Sequence, residues 1–390
     1  MEKRPKYILP LIVLSQFAGT SLWFVGNAIL PDVQQHLQLG KAALGNITSF
    51  VQFGFITGTL VFAILAIADR FTPSKVFFIS SLLAALANLC IVWIAADAFQ
   101  LMLFRFLTGF FLAGIYPVGM KIAADWYEKG LGKALGYLVG ALVLGTAFPH
   151  LLKVSSLQLS WEKVLLFTSL FATAGGVLVF LFVGNGPYRK QAQQFHWKNI
   201  TRVFQSKDFR SAAFGYFGHM WELYAFWAFV PVILAMNGSA DHPGLNLPLW
   251  SFIVIGIGCF SCIAGGYLSN KIGSAKVAFI SLLISGLCCL CSYLFIEASP
   301  IIFLMFMIVW GTTVISDSPQ FSALVAQTAI PEIKGTALTF VTSIGFAITI
   351  GSIQLLNWMF NNVDLKYRIF IVLCIGPLLG LIALFRLVKK

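Results

Sequence analysis

The chain alternates between long apolar runs and short polar islands along its whole length. Each run is about 20 residues long, which at about 1.5 Å per residue lets an α-helix cross a hydrocarbon core of about 30 Å. The runs therefore predict 12 spanning helices. Their predicted bounds are residues 7–30, 42–66, 76–96, 100–123, 134–152, 164–184, 211–235, 249–268, 277–296, 301–324, 337–360 and 369–387.

The runs are apolar on nearly every side, which favours helices over the strands of a membrane barrel. Barrel strands require stretches of about 10 residues with alternating polarity. The composition agrees with a lipid solvent, since 59% of the 390 residues are hydrophobic, 10% are charged and the mean hydropathy is +0.88. A soluble domain would expose large apolar patches at this composition. The sequence thus predicts an all-α, multi-pass protein of the lipid bilayer.

Lysine and arginine are distributed unequally between the two sets of loops that this topology defines. Of the 26 Lys and Arg residues, 19 lie on the side of the amino terminus, five lie on the other side and two lie within a span. Because cytoplasmic loops carry the excess of positive charge, we expect both termini to be cytoplasmic in a bacterial inner membrane. The net charge of +12 then reflects orientation and does not indicate a nucleic-acid partner.

The cysteines and histidines do not form a recognisable chemical centre. All seven cysteines lie inside predicted spans, where free thiols act as small apolar packing residues. Cys259 and Cys262 form a C-x-x-C pair, but no second pair accompanies it, so no metal, redox centre or cofactor is predicted. The chain has neither an H-x-x-x-H nor a G-x-S-x-G arrangement, and an enzyme is not indicated.

The two halves of the chain resemble each other at a nearly constant offset. Matching segments recur in order at offsets of 200 to 203 residues, a drift that small loop insertions would produce. We therefore predict a six-helix bundle over residues 1–184, a polar, basic linker over 185–210, and a second, parallel six-helix bundle over 211–390. The matched pairs include Pro31 with Pro231, Lys75 with Lys276, Gly109 with Gly311, Pro117 with Pro319, and Gly132 with Gly335.

A loop motif after the second span of each half is similar to one of the major facilitator superfamily, which reads G-x-L-A-D-R-x-G. In the first half residues 68–70 read A-D-R, but Leu65 and Thr72 stand where the family has glycines. In the second half residues 266–273 keep both glycines and lack the acid. Two incomplete copies at the expected places make a strong resemblance, which extends over the whole chain.

The fourth and fifth spans refine this resemblance. Residues 105–117 read R-x-x-x-G-x-x-x-A-x-x-x-P, similar to the family's second motif, whereas residues 136–149 lack the G-P-x-x-G-G signature of drug/proton antiporters. The resemblance implies 12 helices in two six-helix bundles and transport by alternating access. It also implies that the first, fourth, seventh and tenth spans line a central cavity.

These four spans carry stripes of polar and aromatic residues. The members of each stripe share one helical face at about 100° per residue. Aromatic rings suit an organic solute and a few polar groups orient it, so the stripes are predicted to bind substrate. The alternative is that they only join helices through hydrogen bonds. The candidates are Gln16, Thr20, Trp23, Asn27, Arg105, Tyr116, Tyr216, Trp227, Trp310 and Gln320.

Three ionisable side chains at membrane depth are candidates for proton coupling, namely Glu222, Asp317 and His219. Charged groups are costly at that depth, and burial favours the neutral form of a carboxyl, so protonation can follow which side the cavity faces. Because histidine titrates near neutral pH, His219 is an alternative proton relay or substrate donor. A metal site built from these three would lack a fourth ligand and is not predicted.

Arg105 lies within the fourth span, and an arginine at that depth has two interpretations. Its guanidinium would orient an anionic solute or tune a nearby carboxyl group. Alternatively, it would be structural and donate hydrogen bonds to backbone carbonyls. The sequence leaves both interpretations open.

The resemblance also implies a cytoplasmic gate. In the family the loop arginine pairs with an acid at the end of the fourth span, so Asp69 and Arg70 are expected near Asp125. The start of the eleventh span should lie beside them, because a helix N-terminus attracts an acid. Lys271 is the counterpart of Arg70 in the second half. Lys121 is expected to pair with Asp125, four residues along the same helix.

The sequence therefore indicates a secondary active transporter that moves a small organic solute across the membrane. Proton-coupled uptake is the leading hypothesis, and Arg105 together with the positive bias favours an anion. Proton-driven efflux of a drug or metabolite and uncoupled facilitation are the alternatives. The expected partners are a small-molecule substrate, protons and the lipid bilayer, and we expect a monomer.

Overall fold

A computed structural model describes residues 5–127, 131–154, 159–189, 200–237, 245–330, 334–365 and 367–389. Over these residues, 11 helices are long and apolar enough to cross a membrane, and a shorter apolar helix precedes them. We number them α1 (Ile8–Thr20), α2 (Ala43–Ile64), α3 (Pro73–Trp93), α4 (Ala98–Trp126), α5 (Leu131–Leu152), α6 (Trp161–Phe182), α7 (Lys207–Asn237), α8 (Leu247–Ile272), α9 (Ser274–Ile296), α10 (Pro300–Thr328), α11 (Lys334–Asn362) and α12 (Ile369–Val388).

The predicted all-α membrane fold with 12 spans in two six-helix repeats is confirmed. Successive spans run in opposite directions, so the odd-numbered helices begin at the face that carries the amino terminus. We call this the amino-terminal face and the other the opposite face. Helices α2 and α11 pack together, as do α5 and α8, and these two pairs join the first six helices to the last six.

The first span differs from its prediction as a single helix over residues 7–30. Helix α1 ends at Thr20, and the chain then forms two short helices, Val25–Ala28 and Leu30–His36. Pro31 lies in the first turn of the last of these, a position where its missing N–H group costs no helical hydrogen bond. The break leaves the backbone carbonyls of residues 21–23 without regular helical partners among the described residues, and at membrane depth other groups must satisfy them.

Helices α4 and α10 are interrupted at equivalent places. The α4 segments are Ala98–Leu112 and Tyr116–Trp126, and the α10 segments are Pro300–Ser316 and Ser318–Thr328. A proline, Pro117 or Pro319, lies in the first turn of each second segment. Proline removes an N–H donor and clashes with the preceding turn, so the matched prolines account for both breaks.

The tightest helix contacts also recur at matched positions. A Cβ atom on Gly109 of α4 would overlap the carbonyl oxygen of Val51 on α2, and a Cβ atom on Gly311 of α10 would overlap that of Val254 on α8. Only glycine permits such close approach of two backbones. The repeated glycines in the sequence therefore correspond to one packing arrangement used in both halves, as small residues commonly allow in membrane helices.

The two copies of the loop motif fold differently. In the first half Ala66 has a positive φ of 49°, and a single helical turn, Ile67–Arg70, follows it. In the second half α8 continues without this break to Ile272, and the chain turns at Gly273 with φ of 89°. The retained glycine in the second copy is therefore required by its backbone conformation, which non-glycine residues rarely adopt.

Amide side chains join α2 and α11 near the opposite face. The Nε2 of Gln354 on α11 donates to Ser49 Oγ at 2.9 Å and to Asn46 Oδ1 at 3.3 Å on α2, and Asn361 Nδ2 donates to the Lys41 carbonyl oxygen at 3.2 Å. We call this group the amide latch. At the amino-terminal end of α11, a Cβ atom on Gly335 would meet no described atom within 4 Å. The α2/α11 pair is thus closed at the opposite face.

We predict that Gln354→Ala loosens the opposite-face end of the α2/α11 pair. Each lost hydrogen bond contributes about 1 kcal/mol, so the closed arrangement should become several-fold less populated. Hydrogen exchange measured by mass spectrometry should increase at residues 43–50 and 354–361. The matched control is Asn362→Ala, which removes an amide that bonds only within α11. Equal exchange in the two variants would show that the latch does not stabilise this closure.

Candidate functional site

The break in α10 places Asp317 against His219 of α7. Asp317 lies between the two α10 segments, directly before the second, where the free N–H groups of a helix N-terminus favour negative charge. Its Oδ1 is 2.8 Å from Nδ1 of His219, and each side chain is 1% exposed. Among the described residues, His219 Nε2 and Asp317 Oδ2 have no hydrogen-bond partner. Asp317 Oδ1 contacts His219 at ion-pair distance but without hydrogen-bond geometry, so the pair combines an acid and a base in contact with one further unpaired atom on each.

Glu222, one turn along α7, lies in a separate polar pocket within the second half. Its Oε1 accepts hydrogen bonds from Trp310 Nε1 at 2.8 Å and Cys289 Sγ at 3.2 Å, and its Oε2 accepts one from Ser285 Oγ at 2.9 Å. Trp310 lies on α10, whereas the other two donors lie on α9. Three donors aimed at one carboxyl are suited to its ionised form, which only accepts hydrogen bonds.

Arg105 of α4 binds the broken segment of the first span. Its Nη1 donates to the carbonyl oxygen of Leu22 at 3.1 Å, and its Nη2 donates to that of Trp23. The guanidinium thereby satisfies two backbone groups that the end of α1 leaves free. It is fully buried, its Nε has no hydrogen-bond partner, and no acidic side chain among the described residues lies within ion-pair distance.

Four aromatic rings from both halves meet beside the broken first span. Trp23 lies 4.6 Å from Phe55, 6.0 Å from Tyr224 and 5.7 Å from Phe346, measured between ring centroids, and Phe55 lies 4.5 Å from Phe346. We call these four residues the aromatic cage. Trp23 and Phe55 belong to the first half, whereas Tyr224 and Phe346 belong to the second. Two further rings adjoin the cage. The Tyr116 centroid lies 6.1 Å from that of Trp23, and the Trp227 centroid lies 5.3 Å from that of Tyr224.

Polar side chains around the cage keep unpaired atoms. Gln52 Oε1 accepts from Trp23 Nε1 at 3.2 Å, and Asn27 Nδ2 donates to Thr48 Oγ1 at 2.8 Å. The remaining atoms of these amides, Gln52 Nε2 and Asn27 Oδ1, have no partner among the described residues, and neither has Trp227 Nε1. Buried polar atoms normally have a partner, so this group is a candidate for contacts with a bound solute or water.

The other predicted lining residues have local roles in this arrangement. Thr20 Oγ1 donates to the carbonyl oxygen of Gln16 at 2.8 Å, and both side-chain polar atoms of Gln16 lack a partner among the described residues. Tyr216 stacks beside His219 with centroids 6.1 Å apart. Gln320 is buried on α10 near Gly265 of α8.

The predicted gate residues are arranged within the first half. Lys121 Nζ lies 2.7 Å from Asp69 Oδ1, so Lys121 pairs with the loop acid and not with Asp125 as the helical spacing predicted. Asp125 is buried, and its carbonyl oxygen accepts from the Tyr188 N–H at 3.0 Å. Arg189 Nη2 also donates to the Asp69 carbonyl oxygen at 3.1 Å. The start of the linker therefore holds the loop.

Two further gate candidates, Arg70 and Lys271, are exposed at the amino-terminal face. They lie at the ends of their motif copies, in the last turn of Ile67–Arg70 and of α8. An acid of the first half was expected beside Gly335. No described atom lies within 4 Å of a Cβ atom built on this residue. Residues 331–333, which precede α11, lie outside the described part of the chain.

Sequence reasoning missed the contributions of α2 and α9. Gln52 and Thr48 lie on α2, and Ser285 and Cys289 lie on α9, helices that were not expected to line the site. Cys289 was interpreted as packing, yet its thiol donates to Glu222. The detectable signal was the presence of polar residues inside apolar runs. Over the described residues, no group of three or more His, Cys, Asp or Glu side chains is arranged to hold a metal ion.

Comparison with known proteins identifies similar folds. The family profile of the Major Facilitator Superfamily matches residues 12–352. The chain is similar to the crystal structure of the human organic anion transporter MFSD10 (TETRAN), with a TM-score of 0.74 and 14% identity over 97% of this chain and 99% of that chain. It is also similar to a bacterial homolog of the human lysosomal transporter Spinster in an inward-facing, unoccupied conformation, with a TM-score of 0.66 and 15% identity over 100% and 95%. A search of curated protein sequences finds no match.

We predict that Arg105→Lys destabilises the break in the first span. A lysine ammonium lacks the fork that lets one guanidinium reach two carbonyls, and the loss of one charged hydrogen bond costs about 2 kcal/mol. The thermal unfolding midpoint in detergent should fall, and hydrogen exchange should increase over residues 20–28. The control is Arg386→Lys, which changes a surface arginine paired with Asp208. An unchanged midpoint with a raised KM for solute would instead favour direct solute binding.

Proposed function

Because the chain belongs to the major facilitator superfamily, we propose that it is a proton-coupled secondary transporter that takes up a small organic anion by alternating access. The family match makes it a transporter and not an enzyme, as the sequence motifs predicted. The coupling ion, the direction and the solute class are the proposed parts. The observation that carries the coupling is the buried contact between His219 and Asp317.

The His219 and Asp317 side chains suit a proton-carrying role. They lie on different helices, α7 and α10, and Asp317 occupies a break that can change its geometry when the halves move. If the shared proton is on His219, the contact is between two ions. If it is on Asp317, the contact is between two neutral groups. A substrate or water that reaches the unpaired His219 Nε2 or Asp317 Oδ2 would therefore alter the protonation of the pair.

Glu222 is the second proton-coupling candidate. Its two oxygens accept three hydrogen bonds, and protonation would turn one oxygen into a donor and disrupt at least one of these bonds. Glu222 also lies against α9, within the second half. Both features make Glu222 less suited than Asp317 to exchange a proton during each transport cycle.

An anionic solute is favoured by the charge balance of the first half. Arg105 is buried and, among the described residues, has no acidic partner within ion-pair distance. A buried charge without a counter-charge is costly, and an anion bound nearby would reduce that cost. The backbone carbonyls that Arg105 contacts supply only partial negative charge. This residue therefore positions the first span and would also create a positive field within the membrane-spanning part of the first half.

We propose that the amino-terminal face is cytoplasmic in a bacterial inner membrane. The excess of Lys and Arg in the loops of that face supports this orientation. Residues 1–184 and 211–390 would then form the two moving units, with 185–210 as a cytoplasmic linker, and one chain would form the whole transporter. With the amide latch closed at the opposite face, the arrangement corresponds to access from the cytoplasm or to an occluded state.

The loop residues would close the cytoplasmic side in the other state. Asp69 already lies beside Lys121, and no described atom lies within 4 Å of a Cβ atom built on Gly335 at the start of α11. When the α2 and α11 ends approach each other, Asp69 would meet the N-terminus of α11, which attracts an acid. Arg70 and Lys271, which are exposed at the same face, would form the outer part of this closure.

We predict that Asp317→Asn abolishes pH-driven accumulation of solute and spares solute exchange. Exchange returns the loaded carrier across the membrane without releasing the proton, so it does not require titration of the pair. The measurement is uptake of labelled organic anions into proteoliposomes with and without an imposed pH gradient, followed by counterflow. Glu222→Gln, tested in parallel, reports which carboxyl carries the proton.

The matched control is Asp208→Asn, an acid at the start of α7 that pairs with Arg386 at the surface. It should retain full accumulation. If Asp317→Asn and Glu222→Gln both accumulate solute normally, these carboxyls are structural and another group carries the proton. If the unaltered protein shows no pH-driven accumulation, it is a facilitator or uses another ion. Solute export driven by an inwardly directed proton gradient would show that the direction of transport is efflux and not the proposed uptake.

A further inference from the structure

We propose that the aromatic cage binds the ring of a planar aromatic carboxylate, and that the buried donors around it bind the carboxylate. This inference rests on the proposed transport function and specifies its substrate class. Two observations carry it independently of any titration. The cage rings come from both halves, and nearly all unpaired polar atoms around them are donors.

The cage lies where a transported solute must contact both halves. Trp23 stacks on Phe346 with an interplanar angle of 20° and a centroid distance of 5.7 Å. Phe55 and Tyr224 enclose the same ring, at centroid distances of 4.5 and 5.1 Å from Phe346. Because the halves move relative to each other in alternating access, these cross-half ring contacts must separate. A flat aromatic ring inserted between Trp23 and Phe346 would replace the stacking that is lost.

The orientation of the Gln52 amide is fixed by its partner. An indole N–H can only donate, so the oxygen of Gln52 must face Trp23 Nε1 and its Nε2 must carry the unpaired N–H groups. Trp227 Nε1, beside Tyr224, and Arg105 Nε are likewise donors without a partner among the described residues. A buried donor without a partner is costly, so a ligand rich in acceptors would relieve several such costs.

Asn27 Oδ1 is the exception among these atoms. Thr48 Oγ1 donates to the Leu44 carbonyl oxygen at 2.9 Å, so it must accept from Asn27 Nδ2, and Asn27 Oδ1 remains as an unpaired acceptor. The group around the cage therefore offers three donors and one acceptor. A carboxylate, with two oxygens that accept several hydrogen bonds, matches the three donors.

An aromatic cation is the main competing ligand, because cages of this kind also bind quaternary ammonium groups through their ring faces. The surrounding charge opposes it here. Arg105 contacts the backbone of Trp23 itself, and the unpaired N–H groups would direct their positive ends toward a cation. A cage that serves only as packing is the other alternative, but packing alone leaves the buried donors unsatisfied.

The test measures thermal unfolding of the purified full-length protein in detergent with matched probes. Benzoate and indole-3-acetate are aromatic carboxylates, cyclohexanecarboxylate keeps the carboxylate without the flat ring, and phenyltrimethylammonium keeps the ring and reverses the charge. A ligand that binds only the folded state raises the midpoint as its concentration exceeds its Kd. We expect at least one aromatic carboxylate to raise the midpoint at a concentration about tenfold below that required for cyclohexanecarboxylate, and no shift with phenyltrimethylammonium.

Two variants connect the shift to the cage. Phe346→Leu should weaken binding of the aromatic carboxylate about tenfold and reduce the difference from cyclohexanecarboxylate, because it removes one stacking face. Phe303→Leu is the matched control, since Phe303 is equally buried on α10 and outside the cage. Gln52→Glu should weaken binding of both carboxylates, because it keeps an oxygen that accepts from Trp23 Nε1 and replaces the unpaired donor by a second acceptor.

The outcomes separate this inference from the proposed function. Equal shifts by cyclohexanecarboxylate, a shift only by phenyltrimethylammonium, no shift by any probe, or equal losses in Phe346→Leu and Phe303→Leu would each overturn it. Proton-driven accumulation of a non-aromatic anion would keep the proposed function and reject the cage as a ring site. Aromatic carboxylate binding in protein that shows no pH-driven accumulation would support the site and reject proton coupling.

Discussion

The need to satisfy every polar group at membrane depth constrains the rest of this structure. Where a helix breaks, backbone carbonyls and N–H groups lose their partners, and no water is present in the hydrocarbon region to replace them. The break in the first span is satisfied by the guanidinium of Arg105, and the break in α10 carries Asp317 at the start of its second segment. Buried charges and irregular backbone therefore occur together, and each makes the other tolerable.

The two halves use one packing arrangement and different chemistry. Gly109 and Gly311 make the same close backbone contact with α2 and α8, and matched prolines break α4 and α10. The first half places a buried cation beside its break, whereas the second places Asp317, His219 and Glu222 on α7 and α10. Duplicated packing thus provides a symmetric frame in which opposite charges lie on opposite sides of the interface.

Two groups of contacts between the halves, the amide latch and the aromatic cage, differ in what can replace them. The amide latch joins α2 and α11 through neutral hydrogen bonds that water can replace when the ends separate at the membrane surface. The aromatic cage lies deeper, where water cannot replace ring stacking and a solute can. Under the proposed transport function, this difference would let the interface open at its edge while its centre takes a ligand.

The sequence by itself determined the number of spans, the repeat and the loop motif, because hydropathy and spacing are local properties of a chain whose solvent is lipid. It also indicated Asp317, His219 and Glu222, since ionisable residues are rare in apolar runs. It did not predict the breaks in the first span, α4 and α10. Only the tertiary structure showed that His219 contacts Asp317, that Glu222 is held by Ser285 and Cys289 of α9, and that Lys121 binds Asp69 instead of Asp125. These pairings join residues on different helices or in a loop, and helix rotation and packing, which no local pattern specifies, determine which side chains meet.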